Sequence, residues 1–268
     1  MDKANVWTIR KWDYLKKYLH AYTTIVSCYF RDFTYVDMFA GKGKYDGKDG
    51  SPIIALKLEF PFTNYIFVEK ESKKLKELEG YTSEFLNREA IVLRKTKNEH
   101  KKPIDIKTEN IEAKNYIKNK LDEMPRSPCF ILLDPYGIEE MDMTSVKLCS
   151  QKKKVELLIN FSVMGVIRNA DRKQCHPLLT QYYGTEEWKN VPHNTINRGD
   201  LYAELYIKSL KEFFDYILYK VIKNEKNAPI YYLIYATNND KGYKIMKDVM
   251  NIKSEQSKLN HFKIYATK

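Results

Sequence analysis

The sequence predicts an α/β fold: a mostly parallel central sheet with helices on both faces and a helical insertion before the last two strands. Three observations lead there. Short, near-continuous apolar runs recur between Thr34 and Phe161, separated by helical stretches, and such runs suit strands buried on both faces. Three of the runs close on an acid: Tyr35-Val36-Asp37, Tyr65-Ile66-Phe67-Val68-Glu69 and Phe130-Ile131-Leu132-Leu133-Asp134. The first continues through Met38-Phe39-Ala40 into Gly41 and Gly43, a Gly-x-Gly turn at a strand end.

The elements follow in order. Residues 6–30 read as a helix, with Trp12, Leu15, Leu19, Tyr22 and Val26 at spacings of three or four. The first strand is 34–39. A helix then begins at Ser51-Pro52-Ile53-Ile54-Ala55-Leu56, with Ser51 as N-cap and Pro52 at the first helical position. The second strand is Asn64–Val68, followed by a Lys-rich helix from Ser72 to about Leu86. Residues 89–103 read ambiguously, as a possible loop. The alternating Ile104-Asp105-Ile106-Lys107 is the third strand, and Ala113–Met124 the next helix, with Tyr116, Ile117 and Leu121 on its apolar face. Strand four is Cys129–Leu133, a short helix lies around Thr144–Ser150, and strand five is 155–161. Right-handed crossovers follow by default.

Residues 163–228 change character. They read as helical and loop-like, with clusters of aromatics (Tyr182, Tyr183, Trp188, Tyr202, Tyr206, Phe213, Phe214, Tyr216, Tyr219). Pro229–Thr237 is a strong strand, Gly242–Met250 a helix, and His261–Thr267 the last strand. The domain organisation expected is therefore a core of 1–162 and 229–268, with 163–228 inserted between strands five and six and placed over the mouth of the site.

With 268 residues, no Pro/Gly/Ser linker and no internal repeat, the chain fits one large α/β domain with an insertion, or two small ones. No apolar run is long enough to span a membrane, and MDKANVWTIRKW lacks the apolar stretch of a secretory signal, so a cytoplasmic protein is expected. Cys28, Cys129, Cys149 and Cys175 are scattered without CxxC spacing, so neither zinc, an iron–sulfur cluster nor a disulfide framework is expected. Lys and Arg number 46 against 35 Asp and Glu, a formal +11 that favours a polyanionic partner, nucleic acid above all. The bland alternative is a Lys-rich solvated surface, which the excess of Lys over Arg supports.

Ligands of open parallel sheets sit beyond the carboxyl ends of the strands. Asp37, Gly41, Gly43, Glu69 and Asp134-Pro135-Tyr136-Gly137 are all placed at such ends, which predicts one shared rim. The third glycine of a dinucleotide fingerprint is missing: Asp46 stands there, which lowers a nicotinamide or flavin reading. Three strand-end acids in this order point instead to a Rossmann-like class I methyltransferase fold that uses S-adenosylmethionine (SAM). In that reading Gly41 and Gly43 let backbone approach the cofactor, and Glu69 offers two acceptor oxygens to the ribose hydroxyls. The alternative for Glu69 is a strand-end acid capping the helix that starts near Ser72. Asp134 can accept a hydrogen bond from an exocyclic amine, Pro135 fixes the chain, Tyr136 stacks on a planar base and Gly137 leaves the ring unobstructed. The alternative for this tetrapeptide is a plain β-turn. A duplex base would have to be flipped out to reach it, and Arg168, Arg172 and Lys173 are candidate phosphate contacts, a solvated basic face being the equal alternative. His176 and His193 show no metal-ligand pattern, and no acid cluster suggests a metal-dependent nuclease.

Taken in order along about nine-tenths of the chain, several motifs resemble the three-Cys-motif partner family, TcmP. They are Lys11-Trp12-x-x-Leu15, Asp37-Met38-Phe39-Ala40-Gly41-x-Gly43, Gly50-Ser51-Pro52-Ile53-Ile54-Ala55-Leu56, Phe67-Val68-Glu69 and Leu133-Asp134-Pro135-Tyr136-Gly137. Leu157-Leu158-Ile159-Asn160-Phe161 with Arg168, and the strand ending at Thr237, complete the set. Lys42 stands where members of that family commonly carry proline. The resemblance implies a SAM-binding Rossmann-like fold and a radical-SAM-like protein with three cysteines as partner. The Asp-Pro-aromatic-Gly motif is also similar to that of tRNA guanine-N2 methyltransferases and, more loosely, adenine-N6 enzymes, both of which act on exocyclic amines. The candidate cofactor contacts are then Lys11, Asp37, Phe39, Ala40, Gly41, Gly43, Ser51, Glu69 and Asn110, and the candidate catalytic set is Asp134, Pro135, Tyr136 and Gly137. Two functions follow: a SAM-dependent methyltransferase acting on an exocyclic base nitrogen of DNA or RNA, or a non-catalytic accessory subunit that binds nucleic acid or substrate for the radical-SAM-like partner.

Overall fold

Each acid-ended apolar run becomes a strand. In the computed structural model, which describes residues 6–96, 103–225, 227–251 and 265–266, the first half of the chain forms α1 (Val6–Tyr29), β1 (Thr34–Asp37), β2 (Lys44–Tyr45), β3 (Lys48–Asp49), α2 (Ser51–Leu56), β4 (Asn64–Val68), α3 (Ser72–Thr96), β5 (Asp105–Glu109) and α4 (Ala113–Lys120). The second half forms β6 (Cys129–Leu133), α5 (Met143–Ser150), β7 (Val155–Ser162), α6 (Val163–Ala170), α7 (His176–Tyr183), α8 (Arg198–Leu210), β8 (Tyr216–Lys223), β9 (Pro229–Thr237), α9 (Asp240–Val249) and β10 (Tyr265–Ala266).

Among the described residues one sheet has the order β10-β8-β9-β7-β6-β1-β4-β5, and β2-β3 is a separate hairpin. β1 pairs in parallel with β4, and β4 with β5. β9 is antiparallel to both β7 and β8. Without the two-residue edge strand β10, the order is β5-β4-β1-β6-β7-β9-β8, with the reversed strand lodged between its neighbours. That is the strand order of the Rossmann-like class I SAM-dependent methyltransferase fold.

The chain divides into two compact units: Met1–Ala113 with Pro125–Ile131, and Lys114–Met124 with Leu132–Lys268. The core of the first is aromatic. Tyr18 and Tyr22 of α1 meet Phe130 of β6 at ring-centroid distances of 5.5 and 6.0 Å, and Tyr35 stacks on Phe130 at 6.1 Å. Such pairs add to the stabilisation that burial alone provides. The buried Tyr65 hydroxyl donates to the Ala55 carbonyl (3.2 Å) and accepts from the Phe62 amide (3.0 Å), and burial holds this phenol far above the ordinary tyrosine range. In the second unit Phe161 of β7 meets Tyr182, Tyr206 and Tyr232 at 5.0–6.3 Å, and Tyr183 donates from its hydroxyl to the Tyr202 carbonyl (3.0 Å). Tyr182, Tyr183, Tyr202 and Tyr206 are buried, so these aromatics of the 163–228 block serve packing.

The structure corrects four expectations. α2 begins at Ser51, and Gly50 is its N-cap: the Gly50 carbonyl accepts the first helical hydrogen bond, from Ile54 (2.9 Å), so Ser51 does not cap the helix with its side chain. The helix after β4 runs on to Thr96, well past Leu86, since nothing in 87–96 breaks it. The Ala113 helix ends at Lys120 and tightens into a 3-10 turn over Leu121–Glu123. The 163–228 block is not wholly helical, because Tyr216–Lys223 pairs with β9 as β8. Residues 97–102 and most of the expected last strand, 261–264 and 267, lie outside the described residues.

Candidate functional site

In the first unit, β1 delivers Asp37 to the start of the Gly-x-Gly loop with its side chain wholly buried. One carboxylate oxygen accepts from the Phe39 amide (3.2 Å) and the other from the Tyr35 hydroxyl (3.3 Å). Phe39 is half-buried and Ala40 buried, and the Ala40 amide donates to the Val68 carbonyl of β4 (3.0 Å). Gly41 and Gly43 have φ of 63° and 86°, the left-handed region that glycine enters without a Cβ penalty. A Cβ at Gly41 would collide with the Tyr45 hydroxyl, and one at Gly43 would crowd Leu78, Tyr81 and Ile53 at 3.0–3.3 Å. Asp46 and Gly47, with φ of 47° and 74°, make the two-residue turn between β2 and β3. Positive φ at both positions is the type I′ pattern that Asp-Gly favours. The residue that displaces the third fingerprint glycine thus serves a hairpin.

Glu69, just past β4, is buried and ties this region together. Its Oε2 accepts from the Gly41 amide (2.9 Å) and its Oε1 from the Glu71 amide (2.8 Å) at the entry to α3. Both expected roles meet here. The bond to Glu71 is the helix-entry role, and each oxygen keeps a further lone pair for a hydroxyl donor. Asn110, exposed at the end of β5, donates from Nδ2 to the Glu69 and Lys70 carbonyls at 2.9 and 3.0 Å. Ser51 is buried beside Gly50, whose amide donates to the Gly43 carbonyl (2.7 Å). Lys11 is buried on α1 next to Trp12, whose ring lies 5.7 Å from that of Tyr45, and the Lys42 ammonium sits 5.3 Å from the same tyrosine ring. Along this loop the fold thus joins Asp37 to Phe39, Ala40 to β4, Gly41 through Glu69 to Asn110, and Gly43 to Gly50, the neighbour of Ser51. The Glu69–Gly41 bond has no sequence signal, because it joins strand ends 28 positions apart.

In the second unit, β6 ends at Leu133, the chain bends at Tyr136–Gly137, and Gly137, itself in an extended conformation (φ −141°, ψ 162°), leads into a 3-10 turn over Ile138–Glu140. Asp134 Oδ1 accepts from Asn160 Nδ2 of β7 (2.8 Å). Asn160 is buried, and its own Oδ1 has no hydrogen-bond partner among the described residues. The Tyr136 amide donates to Glu140 Oε2 (2.7 Å), and the tyrosine side chain stands 71% exposed. Lys114 Nζ donates to the Glu139 carbonyl (2.6 Å) in the 3-10 turn. A side chain at Gly137 would collide with the Glu139 carboxylate. Asn160 is the residue that sequence reasoning passed over as part of a motif. Its signal was an amide inside an otherwise apolar strand.

Arg168 is exposed in the last turn of α6, and Arg172 and Lys173 are exposed just beyond it. The acid between them, Asp171, is held by Arg198 (2.7 Å) and His193 (3.2 Å). The Arg198 hydrogen bond keeps the Asp171 carboxyl below its ordinary range, with a smaller contribution from His193. No group of three or more His, Cys, Asp or Glu among the described residues could hold a metal ion, and no described helix is long and apolar enough to cross a membrane.

Among solved structures, protein LPL1258 from Legionella pneumophila, described with the family model DUF519, superposes with a TM-score of 0.56 at 9% identity, over 96% of this chain and 97% of that one. The likeness is one of fold. The O-methyltransferase TomG from Streptomyces achromogenes, solved in complex with SAM, matches with a TM-score of 0.46 at 9% identity, over 84% of this chain and 79% of its own. No family model matches the chain, and no curated protein matches its sequence.

Proposed function

We propose that this protein is a SAM-dependent methyltransferase acting on an exocyclic base nitrogen of nucleic acid. The observation that carries the reading is the end of β6, where a carboxylate oriented by a buried asparagine stands beside an exposed tyrosine ring. Asp134 accepts a hydrogen bond from one N–H of the target amine, raising electron density on that nitrogen, and is placed to receive the proton released on transfer. Tyr136 stacks on the base, and Pro135 and the extended Gly137 keep the space above it open. SAM supplies an electrophilic methyl on a sulfonium centre. The loop of the first unit supports this reading: glycines at positive φ carry no Cβ on the turn, Asp37 holds the Phe39 amide at its start, and the remaining lone pairs of Glu69 suit a ribose diol. Lys11, Ser51 and Asn110 then support that loop. Catalysis in this scheme is chiefly positional.

Asp134→Ala is expected to abolish transfer of a tritiated methyl group to bulk RNA and DNA while leaving S-adenosylhomocysteine binding intact; turnover by the variant would sink the assignment.

A second reading has its own support. Both oxygens of Glu69 already serve backbone amides, as a purely structural acid would. The protein would then be an accessory subunit that binds nucleic acid or substrate for a radical-SAM-like partner, as the family resemblance implies. Activity that appears only when the two proteins are mixed, from a chain that binds no S-adenosylhomocysteine alone, would favour it.

A further inference from the structure

The described residues of the second unit border a pocket of about 270 Å³ that the proposed reaction does not use, since none of Asp134, Pro135, Tyr136 and Gly137 lines it. Three helix ends meet there. α5 brings its first residues, Met143 and Thr144; α7 brings its last, Tyr183, with Gly184 beyond it; and α8 brings its last turn, with Glu212 just past it. The approach of the first two ends depends on glycine. Gly184 stands at φ 69°, and a Cβ there would lie 3.0 Å from Met143 Cβ. Ser209 Oγ of α8 donates to the Tyr183 carbonyl (3.1 Å), which ties α8 to the end of α7.

Four charged side chains line the pocket, two of each sign. Glu187 and Lys208 engage each other at 2.6 Å. Lys147 and Glu212 pair neither with each other nor with another charge among the described residues; Lys147 Nζ lies 5.9 Å from the centroid of the Phe213 ring, the neighbour of Glu212. One ammonium and one carboxylate thus remain on the walls of one pocket, too far apart to meet. The helix ends polarise it in the same sense. α5 presents its amino-terminal end on the side that holds Lys147, and its cap, Asp142, takes only the Ser145 amide (2.7 Å). α7 and α8 present carboxyl-terminal ends on the side of Glu212, where a cation is favoured.

From these observations, which stand apart from the methyl-transfer reading, we infer that the pocket is a binding site for a free α-amino acid. Its carboxylate lies against Lys147 and the start of α5, its ammonium against Glu212 and the ends of α7 and α8, and Met143 and Phe213 flank its side chain. A zwitterion answers one unpaired charge of each sign and brings no net charge into the pocket. A peptide terminus brings only one of the two, and a phosphate group would face the carboxylates of Glu187 and Glu212. The volume equals that of roughly nine waters at about 30 Å³ each, room for an amino acid of ordinary size.

The test is a thermal-shift screen of the full chain against each standard α-amino acid at about 10 mM, with calorimetry on those that raise the melting midpoint. At least one should raise it. Its amide, which lacks the carboxylate, and its N-acetyl derivative, which lacks the ammonium, should each bind at least about tenfold more weakly. Lys147→Met and Glu212→Gln should weaken the parent amino acid by a similar factor. Both side chains are exposed, so both variants should melt with the unmodified chain when no ligand is present. Lys147→Arg keeps the charge and should keep the binding. No shift from any amino acid, undiminished affinity for either derivative, or undiminished affinity in Lys147→Met or Glu212→Gln would overturn the inference.

Discussion

At the scale of single residues, the account turns on how two carboxylates are held. Asp134 is oriented from one side by Asn160, and Glu69 joins the Gly41 loop to the entry of α3. Asn160→Ala removes the donor to Asp134 and leaves a space beneath it. If Asn160 positions the carboxylate, turnover should fall about 10–100-fold, with little change in the concentration of nucleic acid needed for half-maximal rate. A rate within twofold of the parent, measured at saturating substrate, would show that Asp134 needs no such support. All three acids were legible in the sequence because a carboxylate at the end of an apolar run stands out. The partners of Asp134 and Glu69 were not. Asn160 and Gly41 reach them across the sheet, through bonds that no local pattern announces.

At the scale of elements, β4, β6 and β9 fall at their expected residues, since each is an apolar run bounded by Pro, Asn or Gly punctuation. β8 was hidden because Tyr216 and Tyr219 continue the aromatic spacing of the helix before them. The available signal lay in the turn after it, where Asn227 adopts a φ of 60° and the Asn224 side chain accepts from the Ala228 amide (2.9 Å). Asp171, at the end of α6, and Arg198, at the start of α8, join these two helices through an ion pair (2.7 Å). The folded-state pKa of Asp171 lies below its ordinary value near 3.8, so its contribution is complete above that pH and fades as pH falls through the lower folded value. Asp171→Asn should therefore lower the melting temperature at neutral pH, and the gap from the parent should close as the pH drops below about 4. A gap that does not change with pH would mean that the ion pair contributes nothing to stability. The gap at neutral pH should be small, because half of the Asp171 side chain faces solvent and such pairs are weak.

At the scale of the whole molecule, the reversed strand β9 between β7 and β8 fixes the class of fold, and the fold alone does not assign a reaction. The formal charge of +11 concerns partners and has a place on the surface in the cations of α6 and the turn after it. We propose that α6, α7 and α8, within the 163–228 segment, govern how a target reaches Asp134. We propose that this fold holds SAM through the Gly41–Gly43 loop and Glu69. Calorimetric titration of S-adenosylhomocysteine into the purified chain, with Asp37→Ala and Glu69→Ala beside it, tests that claim most directly. The account predicts micromolar binding by the parent chain and its loss in both folded variants. A folded parent chain that takes up no S-adenosylhomocysteine would contradict it and leave the accessory-subunit reading in its place.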